Sequence, residues 1–317
     1  MSEKYLYAKI IHSFTNYNIE VPILSRYNSS MKEYLSYDSA AKFWNIPYIE
    51  AALSSEIDGA KPASFVVSQR SLRSPKKDRT RHLCELALPT DAVVSRNGIM
   101  VASPELLFLQ LACKLDINRL ILLGLQLCSY PPGKSNMSIT TKQNLSAFLA
   151  ETSGHRGHCK ALRAVKYIED GSASVMESIA FMILTLPHNL GGYGLNGAVF
   201  NHEIKLNEQA GKRLGQKRCF ADLYYKSARL AVEYESFAFH SSPSEQGKDM
   251  MRSAILERQG IEVMRLSTIQ MYDKEACIDF VFNLAARLGK RIQIRTKKFD
   301  PMHTLIRSLL PVGKLDD

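Results

Sequence analysis

An acid inside a strand of hydrophobes constrains a fold strongly, because strands are poor in acids and a buried unpaired carboxylate is costly. The chain has such a stretch. Phe220-Ala221-Asp222-Leu223-Tyr224-Tyr225 carries one acid, and Leu230-Ala231-Val232-Glu233-Tyr234-Glu235 ends on two, with His240 just beyond. Side chains alternate along a strand, so Glu233 and Glu235 point the same way. With Asp222 on the neighbouring strand, three carboxylates converge. They repel one another unless a cation lies between them, which points to a divalent metal held by Asp222, Glu235 and Glu233. Oxygen ligands suit Mg²⁺ or Mn²⁺. Beside a basic surface, such an ion polarises a scissile phosphate and lowers the pKa of an attacking water. Two plainer readings stand beside this one: Asp222 as an edge-strand acid paired with Arg218 or Arg229, and Glu233 and Glu235 as one wet strand face.

The neighbouring segments add candidates. Ser174-Val175-Met176-Glu177 opens an apolar helix running to about Leu186. Ser-x-x-Glu is a capping box, yet Glu177 also reads as a fourth carboxylate reaching over the sheet end. The two readings hold together only if the side chain is shared. His240 fits a general base, a phosphate contact or a structural histidine. Lys248 and Arg252 fall on one face of the following helix, where they hold phosphates or form surface pairs.

Pattern and punctuation place these residues in order. Strands are expected near Ala198–Ile204, Arg218–Tyr225 and Arg229–Phe237, then a helix over Lys248–Gln259 ended by Gly260. A strand at Ile261–Leu266 and a helix at Lys274–Leu288 follow. A strand–helix–strand step after an antiparallel meander points to a mixed sheet with helices packed on it. The first half reads as α+β: a short helix at Asp38–Trp44, strands at Ala63–Ser68 and Leu83–Leu88, then helices from Ser103-Pro104, at Arg119–Cys128 and at Lys142–Glu151. At 317 residues two domains are expected, divided as 1–155 and 156–317, with the helix of residues 158–169 as a possible bridge.

The net charge of +10 and a pI of about 9.2 favour a polyanionic partner, most often nucleic acid. Arg70, Arg73, Lys76, Lys77, Arg79 and Arg81, opposed only by Asp78, read as an exposed connecting loop or hairpin tip. Such a run is either a solvated face or a phosphate grip. Six scattered cysteines without a CxxC pair read as reduced, buried thiols of a cytoplasmic protein. No apolar run is long enough to span a bilayer, and the N-terminus has no signal-peptide core. His155, His158 and Cys159 lack a fourth ligand at zinc spacing. Gly191-Gly192-Tyr193-Gly194 lacks the strand-to-helix context of a phosphate loop.

Taken together, Ser174-Val-Met-Glu177, Phe220-Ala-Asp222-Leu, Ala231-Val-Glu233-Tyr-Glu235-Ser-Phe-Ala-Phe-His240 and Lys248-Asp-x-x-Arg252 through Gly260-Ile-Glu-Val-Met-Arg265 resemble the Vsr-like branch of the PD-(D/E)xK nucleases. That branch holds the very-short-patch-repair endonucleases, and the likeness covers roughly residues 157–288. More weakly, Ser39-Ala-Ala-Lys-Phe-Trp44, Leu88-Pro89 and Gly98-Ile-Met-Val-Ala-Ser103-Pro-Glu are similar to the AbiEi-type antitoxin-like region, which often carries a starting winged helix. The resemblance implies a restriction-endonuclease-like mixed sheet flanked by helices. It also implies a Mg²⁺-dependent DNA endonuclease, or a nuclease-like effector of a bacterial defence, toxin–antitoxin or mobile-element system. Glu177, Asp222, Glu233, Glu235 and His240 would form its site, with DNA and a protein from the same operon as partners. The alternative is a non-catalytic DNA-binding regulator on a nuclease-like scaffold. Two positions depart from the family: Glu235-Ser236 stands where relatives have Asp-Gly, and no lysine follows the acids.

Overall fold

The computed structural model describes residues 33–53, 62–74, 79–235 and 243–311. The chain forms two compact units. One comprises Met1–Cys128 and Met137–Asp170, the other Ser129–Asn136 and Gly171–Asp317. The division thus falls after Asp170, and the expected bridge helix belongs wholly to the first unit.

The first unit is built on a five-stranded mixed sheet. Its elements are β1 (Tyr34–Leu35), α1 (Tyr37–Phe43), α2 (Ile49–Leu53), β2 (Ala63–Val67), β3 (Arg79–Leu83), β4 (Val93–Arg96) and β5 (Ile99–Ala102). The strand order is β3-β2-β1-β5-β4. Four helices follow: α3 (Pro104–Leu111), α4 (Ile117–Leu127), α5 (Lys142–Glu151) and α6 (His158–Val165). Their starts obey simple capping chemistry. Ser103 Oγ accepts the Leu106 N–H at 3.2 Å with Pro104 in the first turn, and Asp116 Oδ1 accepts from the N–H groups of Asn118 and Arg119, both at 3.0 Å. Leu120–Leu127 of α4 are buried all round, which makes that helix the core of the unit.

The basic run departs from its sequence reading. Arg79 and Arg81 lie in β3, which pairs parallel with β2 from Ala63↔Arg79 to Val67↔Leu83, so the connection is not a hairpin. The strand expected at Leu83–Leu88 begins and ends earlier. Both arginines pair with Glu33, and the Arg79 guanidinium lies 5.1 Å from the Phe65 ring centroid. A counter-ion and an aromatic face make a strand of these residues, where charge alone suggests a loop. Arg70 pairs with Glu85 at 3.3 Å and Arg73 is exposed, while Lys76 and Lys77 lie outside the described residues.

The second unit starts with α7 (Val175–Thr185), buried from Glu177 onward. Then come β6 (Ala198–Lys205), α8 (Glu208–Leu214), β7 (Arg218–Tyr225), β8 (Leu230–Glu235), α9 (Pro243–Arg258), β9 (Glu262–Ser267), α10 (Thr268–Tyr272), α11 (Lys274–Arg287) and α12 (Phe299–Arg307). The sheet order is β6-β7-β8-β9, antiparallel for the first two pairings and parallel for β8 with β9. A parallel pair needs a crossover, and α9 supplies it. The expected mixed sheet flanked by helices is therefore present. Ile204, Cys219, Ala221, Tyr224, Ala231, Leu256 and Ile261 pack into one core cluster joining sheet and α9. The early segment Ser129–Asn136 is built into this unit: Tyr130 N–H donates to Ser172 O at 3.0 Å, and Gly133 (φ +73°) lies against the Phe220 ring.

The cysteines are all free, but not all buried. Cys128, Cys219 and Cys277 are in the interior, Cys84 and Cys113 are half-buried, and Cys159 is exposed.

Candidate carboxylate site

The site grows from the start of α7. Ser174 Oγ accepts the Glu177 N–H at 3.1 Å, the cap expected from Ser-x-x-Glu. The Glu177 carboxylate turns to two partners. Its Oε2 accepts the Ala173 N–H and the Asn201 Nδ2–H, each at 3.0 Å. The serine cap is therefore present, but the reciprocal half of a capping box is not, since Glu177 takes the N–H of Ala173 rather than of Ser174 and turns on to Asn201 of β6.

Asn201 occupies an unusual backbone position. Its φ is +42°, and the β6–β7 pairing passes from Phe200↔Leu223 to His202↔Ala221 without it. Asparagine tolerates this left-handed region better than most residues. Its Nδ2 also donates to Gly171 O at 2.8 Å. The register sets Asn201 opposite Asp222, so the strand is distorted where the acid sits.

Asp222 does not pair with Arg218 or Arg229. Arg218 binds Glu203 at 3.0 Å, and Arg229 donates to the Gly260 and Gln259 carbonyls. Instead Asp222 Oδ2 accepts the Tyr234 N–H at 2.8 Å. The β7–β8 ladder runs from Tyr225↔Leu230 to Leu223↔Val232, and the Asp222 side chain takes the next donor of β8 in place of a backbone carbonyl.

Glu233 is engaged by α9. Arg252 Nη2 lies 3.0 Å from its Oε1 and 3.2 Å from its Oε2 and also donates to the Phe220 carbonyl. Helical spacing assigns Arg252 a phosphate or a surface partner; it has a largely buried carboxylate instead. Glu235, half exposed, pairs with Arg265 of β9 at 3.0 Å. Among the described residues no three His, Cys, Asp or Glu side chains stand grouped as an ion cage. His240 and Ser236 lie outside the described residues, as does the Lys248 side chain.

Electrostatics couple the acids of three elements. Burial, then the charge of Asp222, pushes Glu177 up to about 8, against the bonds from Ala173, Ser174 and Asn201. Burial and Asp222 likewise push Glu233 up to about 7, against Arg252 and Arg265. Burial raises Asp222 itself, opposed by the Tyr234 N–H and by Arg252. Asp222 is thus the common neighbour of Glu177 and Glu233. Clustered carboxyls with raised pKa values suit proton transfer near neutral pH.

Sequence reasoning misses Asn201 and His202. The His202 ring stacks on Tyr224 at 4.6 Å, and burial lowers its pKa, with Lys226 adding to the effect. Neither residue has a motif, and of the two Asn201 is the one the strand register brings to an acid. The zinc candidates serve the backbone: His155 Nε2 meets Ala87 O at 3.0 Å and His158 Nε2 meets Leu149 O at 2.8 Å.

No family model matches the chain, and neither a curated protein nor a solved structure matches it.

Proposed function

We propose that the second unit is a divalent-cation-dependent DNA endonuclease, or a nuclease-like effector of a bacterial defence or toxin–antitoxin system. The observation that supports this reading is electrostatic: the charge of Asp222 on β7 raises the pKa of both Glu177 on α7 and Glu233 on β8. Mg²⁺ or Mn²⁺ fits the donors in kind, since all are carboxylate oxygens. When bound, the ion would supply Lewis-acid activation of a phosphate and of a water. Asp222 and Glu233 would hold it, Glu177 would take up a proton from water, and Arg252 would balance charge. Glu235 serves as an outer group tied to β9. The mixed sheet flanked by helices supports the reading, since a restriction-endonuclease-like fold requires one.

The pairing of Arg252 with Glu233 and of Arg265 with Glu235 favours a second reading, a non-catalytic DNA-binding protein on a nuclease-like scaffold. A cation at Asp222 and Glu233 competes with Arg252 for the same oxygens. Plasmid nicking in Mg²⁺, Mn²⁺ and EDTA separates the two. Nicking that needs the metal and disappears in Asp222→Ala supports the nuclease. Intact plasmid under every condition, with plasmid still bound, supports the scaffold.

A further inference from the structure

Between α11 and α12 the chain runs from Lys290 to Lys298 without helix or strand. It reads Lys290-Arg-Ile-Gln-Ile-Arg-Thr-Lys-Lys298, five cations and no acid, with Asp300 the next acid along the chain. Both ends are fastened. Lys290 Nζ donates to Asn196 O at 2.7 Å and to its Oδ1 at 3.2 Å. Phe299 is buried, its ring 5.2 Å from Tyr193 and 5.1 Å from His303.

Between these anchors the cations are presented outward. Arg291, Gln293, Arg295, Lys297 and Lys298 are exposed, while Ile292 and Thr296 are half-buried. Among the described residues Arg291, Arg295, Lys297 and Lys298 make no ion pair, and the polar partner of Arg295 is Gln293, at 2.6 Å. This sets the strap apart from the basic strand β3, whose arginines are spent on Glu33. Four unpaired cations on a segment held at both ends cost little further ordering when they meet a partner.

We propose that residues 290–298 are a phosphate-backbone grip for duplex DNA, taking the sequence-independent contacts of the molecule. The partner chemistry follows from the side chains. Arginine and lysine with no acid among them match a polyanion, and the net charge of +10 draws one in. The strap has no aromatic side chain on which unpaired bases would stack, so a duplex fits better than a single strand. The proposal rests on the nuclease reading only for its placement. Asn196 lies five residues before Asn201 on the chain entering β6, a backbone span of about 18 Å at most from the residue that bonds Glu177.

The test is binding of the full chain to a fluorescent 30-base-pair duplex of arbitrary sequence, in EDTA, over a salt series. The variant is R291A/R295A/K297A/K298A. Its affinity should fall about 10- to 100-fold and its log–log salt slope by about 3–4, near 0.9 for each phosphate that is no longer neutralised. R291K/R295K should stay within about threefold of wild type. Should the quadruple variant unfold, K297E/K298E, altering two solvent-facing side chains, should still weaken binding more than tenfold. Wild-type affinity and slope in either variant would overturn the proposal. So would failure of the wild type to bind duplex, tighter binding of a single strand of the same sequence, or equal competition by polyglutamate of the same charge. Failure of the nuclease reading shows separately: Asp222→Ala would bind duplex like wild type, with no nicking by either protein in metal.

Discussion

Arg252 reaches Glu233 through one nitrogen, which also holds the carbonyl of Phe220, so a single guanidinium ties α9 to β7 and β8. The two side chains are 28% and 14% exposed, which puts the pair nearer the interior than the surface. Arg252→Met should therefore cost about 2–3 kcal/mol in urea unfolding at pH 7, below the range for a fully buried pair because some water reaches it. Adding Glu233→Gln should recover at least half of that loss. A double variant as unstable as the sum of its parts would show that the pair is not coupled.

Stability should fall as pH rises through neutrality when no divalent ion is present. Glu177 and Glu233 are raised from 4.5 to about 8 and about 7. Between pH 4.5 and these values the folded chain binds protons that the unfolded chain has released. The stability these carboxyls contribute is therefore full at low pH and lost on the way up. Chemical denaturation in EDTA at pH 5.5, 7 and 8.5 should show a decline on the order of a few kcal/mol. Glu177→Gln should flatten most of it.

Divalent ions should reverse that decline. A cation on these carboxylates displaces their protons, so its binding strengthens with pH. Mn²⁺ should raise the unfolding temperature more at pH 8 than at pH 6, with about 2.7 kcal/mol gained at a hundredfold excess over the dissociation constant. Asp222→Ala should abolish the shift. An equal shift in that variant would place the ion elsewhere.

Backbone geometry makes a prediction of its own at Asn201. A β-branched residue is poorly suited to φ +42°, and it would also leave Glu177 and Gly171 without their donor. Asn201→Val should cost about 1–2 kcal/mol more than Asn201→Gly, which loses the same bonds but accepts the conformation. Thermal unfolding of the two variants checks this.

Gly191 is stricter still. At φ +90° an added Cβ would stand 2.4 Å from the backbone of Met302 and His303. Gly191→Ala should lose at least about 3 kcal/mol, because neither neighbour is a side chain that can swing aside. A calorimetric loss under about 1 kcal/mol would mean that α12 shifts freely.

Much of the fold is legible in the sequence. The Ser103-Pro104 and Lys142–Glu151 helices, β7 and the crossover helix before Gly260 follow from caps, glycines and alternation, which are local signals. The two-residue strand β1 does not, since it exists only through its pairing with β2 and β5. Pattern reading also misses short α8, despite Asn207 and Gly215 at its ends, and α12, with Asp300-Pro301 near its start. Of the site, Asp222, Glu233 and Glu177 stand out by spacing. Strand alternation aligns Glu235 with Glu233 and so puts it at the centre, yet Arg265 claims it. Which acid an arginine meets is decided by packing between distant elements. A run of cations likewise reads the same whether its members are paired, as in β3, or free, as in the strap.

The route of residues 129–136 has a consequence for inheritance. The chain enters the second unit, leaves Tyr130 against Ser172 and Gly133 against Phe220, and returns to build α5 and α6. Neither unit is a continuous stretch of gene. A recombination with one crossover point, at residue 155 or 170, would part the four-stranded sheet from a segment of its own unit. A change of partner domain would therefore require a rebuilt Tyr130 loop as well as a new junction.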